Sequence, residues 1–149
     1  MFFKFPIYIT ENGVASLKND LTNGTDHEPN LNDHFRIRFY HNYIGQIHRA
    51  MTQDHVNVKA YTAWTLMDNF EWARGVNERF GLHWMNYTDP NHSGLSNDVS
   101  ESSNRLTSYV LVIPKKSAKF LGTIATTQCV PSVTGELDAC DKASVKDEL

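Results

Sequence analysis

The chain has no apolar run approaching the ~18 residues a helix needs to cross a bilayer, which argues against a membrane role. The opening Met1-Phe2-Phe3-Lys4-Phe5 lacks the basic segment, long apolar stretch and small-residue cleavage site of a secretory signal. Positive charge is also short. The 14 Lys and Arg are outnumbered by 17 Asp and Glu, for a formal charge of -3, and they are spread along the chain. With no basic face to meet phosphates, nucleic acid is excluded as a partner. No internal repeat is found. Cysteine is limited to Cys129 and Cys140, both near the C-terminus, where a disulfide suited to an oxidising compartment and two free thiols stand as equal alternatives. What is present is 40% apolar residues in 149, enough to bury the core of one domain.

The last four residues, Lys146-Asp147-Glu148-Leu149, match the address read by the endoplasmic reticulum retrieval receptor. Three N-glycosylation triplets, Asn23-Gly24-Thr25, Asn86-Tyr87-Thr88 and Asn91-His92-Ser93, are weak singly but point the same way. The expectation is the lumen of the endoplasmic reticulum, with the retrieval receptor as a partner. A retrieval address without an entry signal further predicts a truncated gene model whose true N-terminus lies upstream of Met1.

Phe5 to Thr10 reads as a buried strand and Asn12-Gly13 as the turn after it. Asn19 to Asn32, rich in Asn, Asp, Thr, Gly and Pro, reads as surface loop. Asn32 or Asp33 is placed to cap a helix in which Ile37, Tyr40, Ile44, Ile47 and Met51 recur at steps of three and four. His27, His34, His41, His48 and His55 recur at intervals of seven in and around it. At a rise of ~1.5 Å per residue, neighbours in that series lie ~10 Å apart, too far to share an ion, so solvated helix surface is expected and no metal.

Val56 to Leu66 reads as the next strand. A crossover of this length joins parallel strands, so the class is α/β, either a doubly wound sheet or a (β/α)8 barrel. Asp68-Asn69-Phe70-Glu71-Trp72 follows the second strand as Glu11 follows the first. Both clusters are expected on one rim, where parallel sheets put their chemistry. Residues 86–105 read as polar turns. Pro114 to Phe120 leads into a short helix ending near Ala125, and the chain from 128 to 149 reads as a flexible tail.

Carboxylates and indoles on one rim suit a sugar: indole faces pack on pyranose C–H faces, and carboxylates accept from pairs of hydroxyls. Cleaving a glycosidic bond needs two carboxyl groups, and from pattern alone Glu11 and Glu71 are the candidate pair. On residue chemistry alone, Glu11 is more commonly a solvated turn residue, and Trp64, Trp72 and Trp84 are more commonly core.

Two longer motifs shift that balance. Ile7-Tyr8-Ile9-Thr10-Glu11-Asn12-Gly13 resembles the nucleophile motif of glycoside hydrolase family 1, which includes β-glucosidases, lactase-like enzymes and myrosinases. Tyr61-Thr62-Ala63-Trp64-Thr65-Leu66-Met67-Asp68-Asn69-Phe70-Glu71-Trp72, followed by Glu78-Arg79-Phe80-Gly81-Leu82, resembles that family's last barrel strand and sugar-binding loop. The resemblance runs from about Phe5 to Asn86 and resumes at Pro114 to Phe120.

The resemblance implies a partial (β/α)8 barrel, its last two βα units, over residues 1–127. It implies a retaining double displacement on a β-glycoside with Glu11 as nucleophile. Trp64 matches the platform under the sugar, Glu71 the ligand of the O4 and O6 hydroxyls, Trp72 the contact to O3, and Phe80 the lining of the O6 end. Glu71 then becomes a substrate ligand, which replaces its role in the pattern-only pair. No cofactor is implied. The family's acid/base glutamate sits in a Thr-Phe-Asn-Glu-Pro-like motif absent from these 149 residues, so the chain alone is expected to be inactive. Its two strands, with unpaired edges, are expected to leave it aggregation-prone. The alternative from another class is a catalytically silent, carbohydrate-binding or receptor-like protein on the same barrel.

Overall fold

The computed structural model describes residues 5–17, 31–87 and 112–132. Strand β1 (Ile7–Asn12) pairs in parallel with β3 (Val58–Ala63), and between them lie β2 (Ser16–Leu17) and helix α1 (His34–Thr52). This is the strand, helix, strand order expected of an α/β chain. Both strands differ from their expected limits. β1 begins at Ile7 and continues through Glu11 to Asn12, because Asn12 is still in register with Ala63. Glu11 therefore occupies the end of a strand rather than a turn. β3 is shorter than expected and stops at Ala63. The Trp64–Thr65 peptide that follows it is cis.

Three further pieces of sheet are too short to show a period in the sequence. β4 (Glu78–Arg79) runs antiparallel to β2, pairing Ser16 with Arg79. β5 (His83–Met85) runs antiparallel to β6 (Val112–Pro114), which leads directly to helix α2 (Lys116–Thr127). α2 runs to Thr127, slightly beyond its expected end, and Gln128 closes it in the left-handed conformation with its N–H on the Ile124 carbonyl. Beyond α2 the described chain stays packed: Cys129 is buried and disulfide-bonded, and Val130 lies against the core. Cys140 and the Lys146–Leu149 segment fall outside the described residues, as do His27 and the Asn23 and Asn91 triplets.

α1 faces α2 across an apolar seam. Ile37 and Tyr40 are buried with Phe120 and Leu82, and Ile44, Tyr61, Leu121 and Ile124 pack around them. The three-four spacing of α1 is thus a core stripe as expected, except that its last member, Met51, is 43% exposed. Between the helices and β3 lies an apolar cavity of about 480 Å³, walled by Ile44, Ile47, Tyr61, Leu66 and Leu121. The histidines divide. His34 and His48 are exposed, but His41 is half-buried, with Nδ1 lacking a hydrogen-bond partner among the described residues. It stands four residues after Ile37 and three before Ile44, at the flank of the buried stripe, so solvated surface does not describe it.

A polar layer runs beneath the rim. Asp33, at the start of α1, was expected to cap that helix. Its carboxylate is instead used on the other one: Oδ1 accepts the Ser117 backbone N–H at 2.9 Å and Oδ2 the Ser117 hydroxyl at 2.5 Å, so Asp33 satisfies orphan donors in the first turn of α2. Arg36 donates to the same carboxylate at 2.5 Å and to the Arg79 carbonyl at 2.8 Å. A second carboxylate, Asp68, accepts from Arg79 Nη1 at 3.1 Å, Lys115 Nζ at 2.9 Å and the Gly81 N–H at 2.9 Å. All of these side chains are buried, and the charged partners satisfy one another, as burial requires.

Candidate active site

The parallel register sets the geometry of the rim. With Asn12 opposite Ala63, Glu11 and Trp64 come at the C-terminal ends of adjacent strands. The two ends are fastened together. The Trp64 N–H donates to the Asn12 carbonyl at 2.7 Å, and the Tyr61 hydroxyl donates to Asn12 Oδ1 at 2.7 Å. Gly13 then passes so close to Trp64 that an added Cβ would stand 1.8 Å from its carbonyl oxygen. From below, the buried Tyr40 hydroxyl donates to that same carbonyl at 3.1 Å. Desolvation pushes the Tyr40 phenol up to about 12, with Arg36 opposing and Asp33 adding to the rise. Burial likewise raises the Tyr61 phenol.

Of the five residues singled out, the structure joins two directly. Trp64 Nε1 donates to Glu71 Oε1 at 3.2 Å, so the indole and the carboxylate form one polar and apolar unit. Glu71 is held by its own N–H on the Gly75 carbonyl at 2.7 Å. Glu11 is exposed at the end of the neighbouring strand. Trp72 opens a 3-10 turn (Trp72–Arg74), has a positive φ of 45°, and is 86% exposed, apart from the Trp64–Glu71 pair. Phe80 is half-buried, and its carbonyl accepts the Thr65 N–H at 3.3 Å. The third tryptophan, Trp84, is 4% exposed and is core.

Residues 69–80, which include the 3-10 turn and β4, connect β3 to β5, with Asp68 and Gly81 at the stem of this excursion. The Asp68 N–H donates to the His83 carbonyl at 3.0 Å, and the Tyr87 hydroxyl donates to the Asp68 carbonyl. Gly81 has to be glycine, because a Cβ there would lie 2.1 Å from Asp68 N. Asn69 Oδ1, just inside the stem, is buried without a hydrogen-bond partner among the described residues. From the sequence Asp68 is only part of an acidic cluster, and Tyr40, Tyr61, Arg79 and Lys115 are members of an apolar stripe or a motif with no polar role. Their partners lie from 6 to 49 residues away, at no regular spacing that a sequence pattern would show.

An α/β chain with a carboxylate and an indole-carboxylate pair at adjacent strand ends has the parts of a sugar site. The chain belongs to glycosyl hydrolase family 1, whose sequence profile matches residues 2–128. It is similar to human lactase/phlorizin hydrolase, with 38% identity over 135 residues, covering 91% of this chain but 6% of that protein. Among solved structures it resembles a double mutant of the Trichoderma harzianum β-glucosidase (TM-score 0.60, 37% identity), over 82% of this chain and 22% of that one. It also resembles a rice β-glucosidase mutant in a covalent complex with Glc (TM-score 0.56, 30% identity), over 76% of this chain and 19% of that one. By resemblance the chain is β-glucosidase-like, and it spans a small part of the relatives it matches.

Proposed function

We propose that this chain supplies the nucleophile and sugar clamp of a retaining β-glycosidase, as the last two βα units of a (β/α)8 barrel, with residues 1–127 as the barrel portion. Glu11 attacks the anomeric carbon, the glycosidic C–O bond breaks, and the sugar remains esterified to the carboxylate until water releases it. Trp64 lies under the pyranose face, and Glu71, oriented by the indole N–H, accepts from two sugar hydroxyls. Trp72 and Phe80 contact the sugar from the same loop. The observation that carries this reading is the parallel register that brings Glu11 to the strand end beside Trp64, together with the Trp64–Glu71 hydrogen bond. The covalent complex with Glc of the rice relative supports a covalent intermediate.

Protonation of the leaving oxygen needs a second carboxylic acid, which this reading assigns to a longer enzyme. The 149 residues alone are then unable to hydrolyse an unactivated disaccharide. For secretory placement, the disulfide at Cys129 supports an oxidising compartment. Retention in the endoplasmic reticulum through Lys146–Leu149 rests on sequence alone.

The test is a 2-fluoro-β-glucoside with a dinitrophenolate leaving group, which departs without a proton. Peptide mapping of the reacted longer enzyme is expected to find the sugar on Glu11, and E11Q to take up none. A label on any other residue overturns the assignment.

A further inference from the structure

The segment carrying Glu71, Trp72 and Phe80 is tied in its second half by β4, whose Glu78 and Arg79 pair with Leu17 and Ser16, and at Glu71 by the Trp64 indole. Between those ties, Glu71 and Gly75 share a bridge and the exposed Arg74 pairs with Glu78 at 3.2 Å, a solvent-screened contact of small worth. Phe70 and Trp72 are turned to solvent, 72% and 86% exposed. The stretch from 69 to 75 therefore depends on its stem as well as on the Trp64 contact.

We infer that Lys115 is a positioning residue for this segment: its ammonium, entering from the start of α2, bridges the two ends of the stem and fixes where Glu71 stands under the sugar. The sugar-binding part of this statement rests on the function proposed above. Lys115 Nζ donates at 2.9 Å to the Asp68 carboxylate and at 2.8 Å to the Gly81 carbonyl, one contact on each side of the loop. Its own backbone N–H donates to the Leu82 carbonyl at 2.9 Å. Arg79 already neutralises Asp68 at 3.1 Å, so charge balance alone does not call for a second cation. The Gly81 N–H already reaches the Asp68 carboxylate at 2.9 Å, and what Lys115 adds is a second link across the stem, to the Gly81 carbonyl. It is 3% exposed, and burial lowers its pKa while Asp68 opposes that. The lysine thus bears a desolvation cost to make the bridge.

Hydrogen exchange of the full 149-residue chain at low concentration, read by mass spectrometry, tests this. K115M keeps the unbranched stem of the side chain and leaves Asp68 paired with Arg79. Exchange in the peptide over 66–82 is expected to rise roughly tenfold, the worth of one hydrogen bond to a charged group, with β1, β3 and α1 unchanged. K115R, retaining a cation of different shape, is expected to give a smaller rise confined to the same peptide. Equal acceleration everywhere in both variants would mark a merely structural lysine and overturn the inference. So would no change at 66–82, or a wild-type stem that is already unprotected. The sugar reading is decided separately by the 2-fluoro-glucoside labelling of the longer enzyme: a label away from Glu11 overturns that reading, while the K115M comparison still decides the role of the lysine.

Discussion

At Gly13 the rim has no room for a side chain. A Cβ would meet the Trp64 carbonyl at 1.8 Å, a backbone atom that the Tyr40 hydroxyl holds while the Trp64 N–H is tied to the Asn12 carbonyl. G13A is expected to cost about 3 kcal/mol or more and to part the two strand ends, as a drop in the denaturant midpoint would show. Tyr40 gives a pH dependence. Its folded pKa is raised from the usual 10 to about 12, so the stabilisation from the protonated phenol is complete below about pH 10 and is lost as the pH climbs through 12. The loss is expected to be on the order of 2 kcal/mol. Y40F should lessen the alkaline loss, the buried Tyr61 phenol keeping a share of it, and should leave the Trp64 carbonyl short of a donor at a cost of about 1 kcal/mol; denaturation midpoints across the alkaline range check both. Position by position, the legible residues were those embedded in local pattern. Glu11, Trp64 and Glu71 sit in motifs, whereas Lys115 carries no mark of its 47-residue reach to Asp68.

Among elements, the link between α1 and α2 is polar as well as apolar. Asp33 reaches across 84 residues to Ser117, and the same carboxylate neutralises Arg36. D33A would leave a buried guanidinium unpaired and the first turn of α2 uncapped. A loss of about 3–5 kcal/mol is expected, with α2 amides exchanging first. α1 and the two long strands could be read because their periods are complete: a 19-residue helix offers five turns of the apolar stripe. The pairs β2–β4 and β5–β6 hold two or three residues per strand, too few for alternation to appear, and they exist because distant segments supply their hydrogen bonds. The same non-locality explains why the Asp33 side chain does not cap α1: Asp33 holds the N-cap position as expected, its carbonyl accepting the Arg36 and Ile37 N–H groups, but its carboxylate is taken by a helix that arrives later.

The molecule as a whole leaves large apolar groups in water. Phe5, Tyr8, Leu66, Phe70 and Trp72 are each more than 60% exposed. Among the described residues the main sheet has two strands, and the outer edges of β1 and β3 offer backbone with no strand partner there beside this surface. The dilute chain is expected to bind an apolar dye and to associate as concentration rises. Light scattering would show this, and a monodisperse monomer at high concentration would contradict it. The long enzyme of the proposed reading would cover these faces with its own strands.

In the described interior Asp68 is shared by Arg79 and Lys115, and Asp33 pairs with Arg36. Loss of Lys115 leaves Asp68 paired with Arg79, whereas loss of either carboxylate takes an ion-pair partner from a buried cation. In a saturation library screened for soluble expression, neutral replacements should thus survive more often at 115 than at 33 or 68, although all three sites are equally hidden from water.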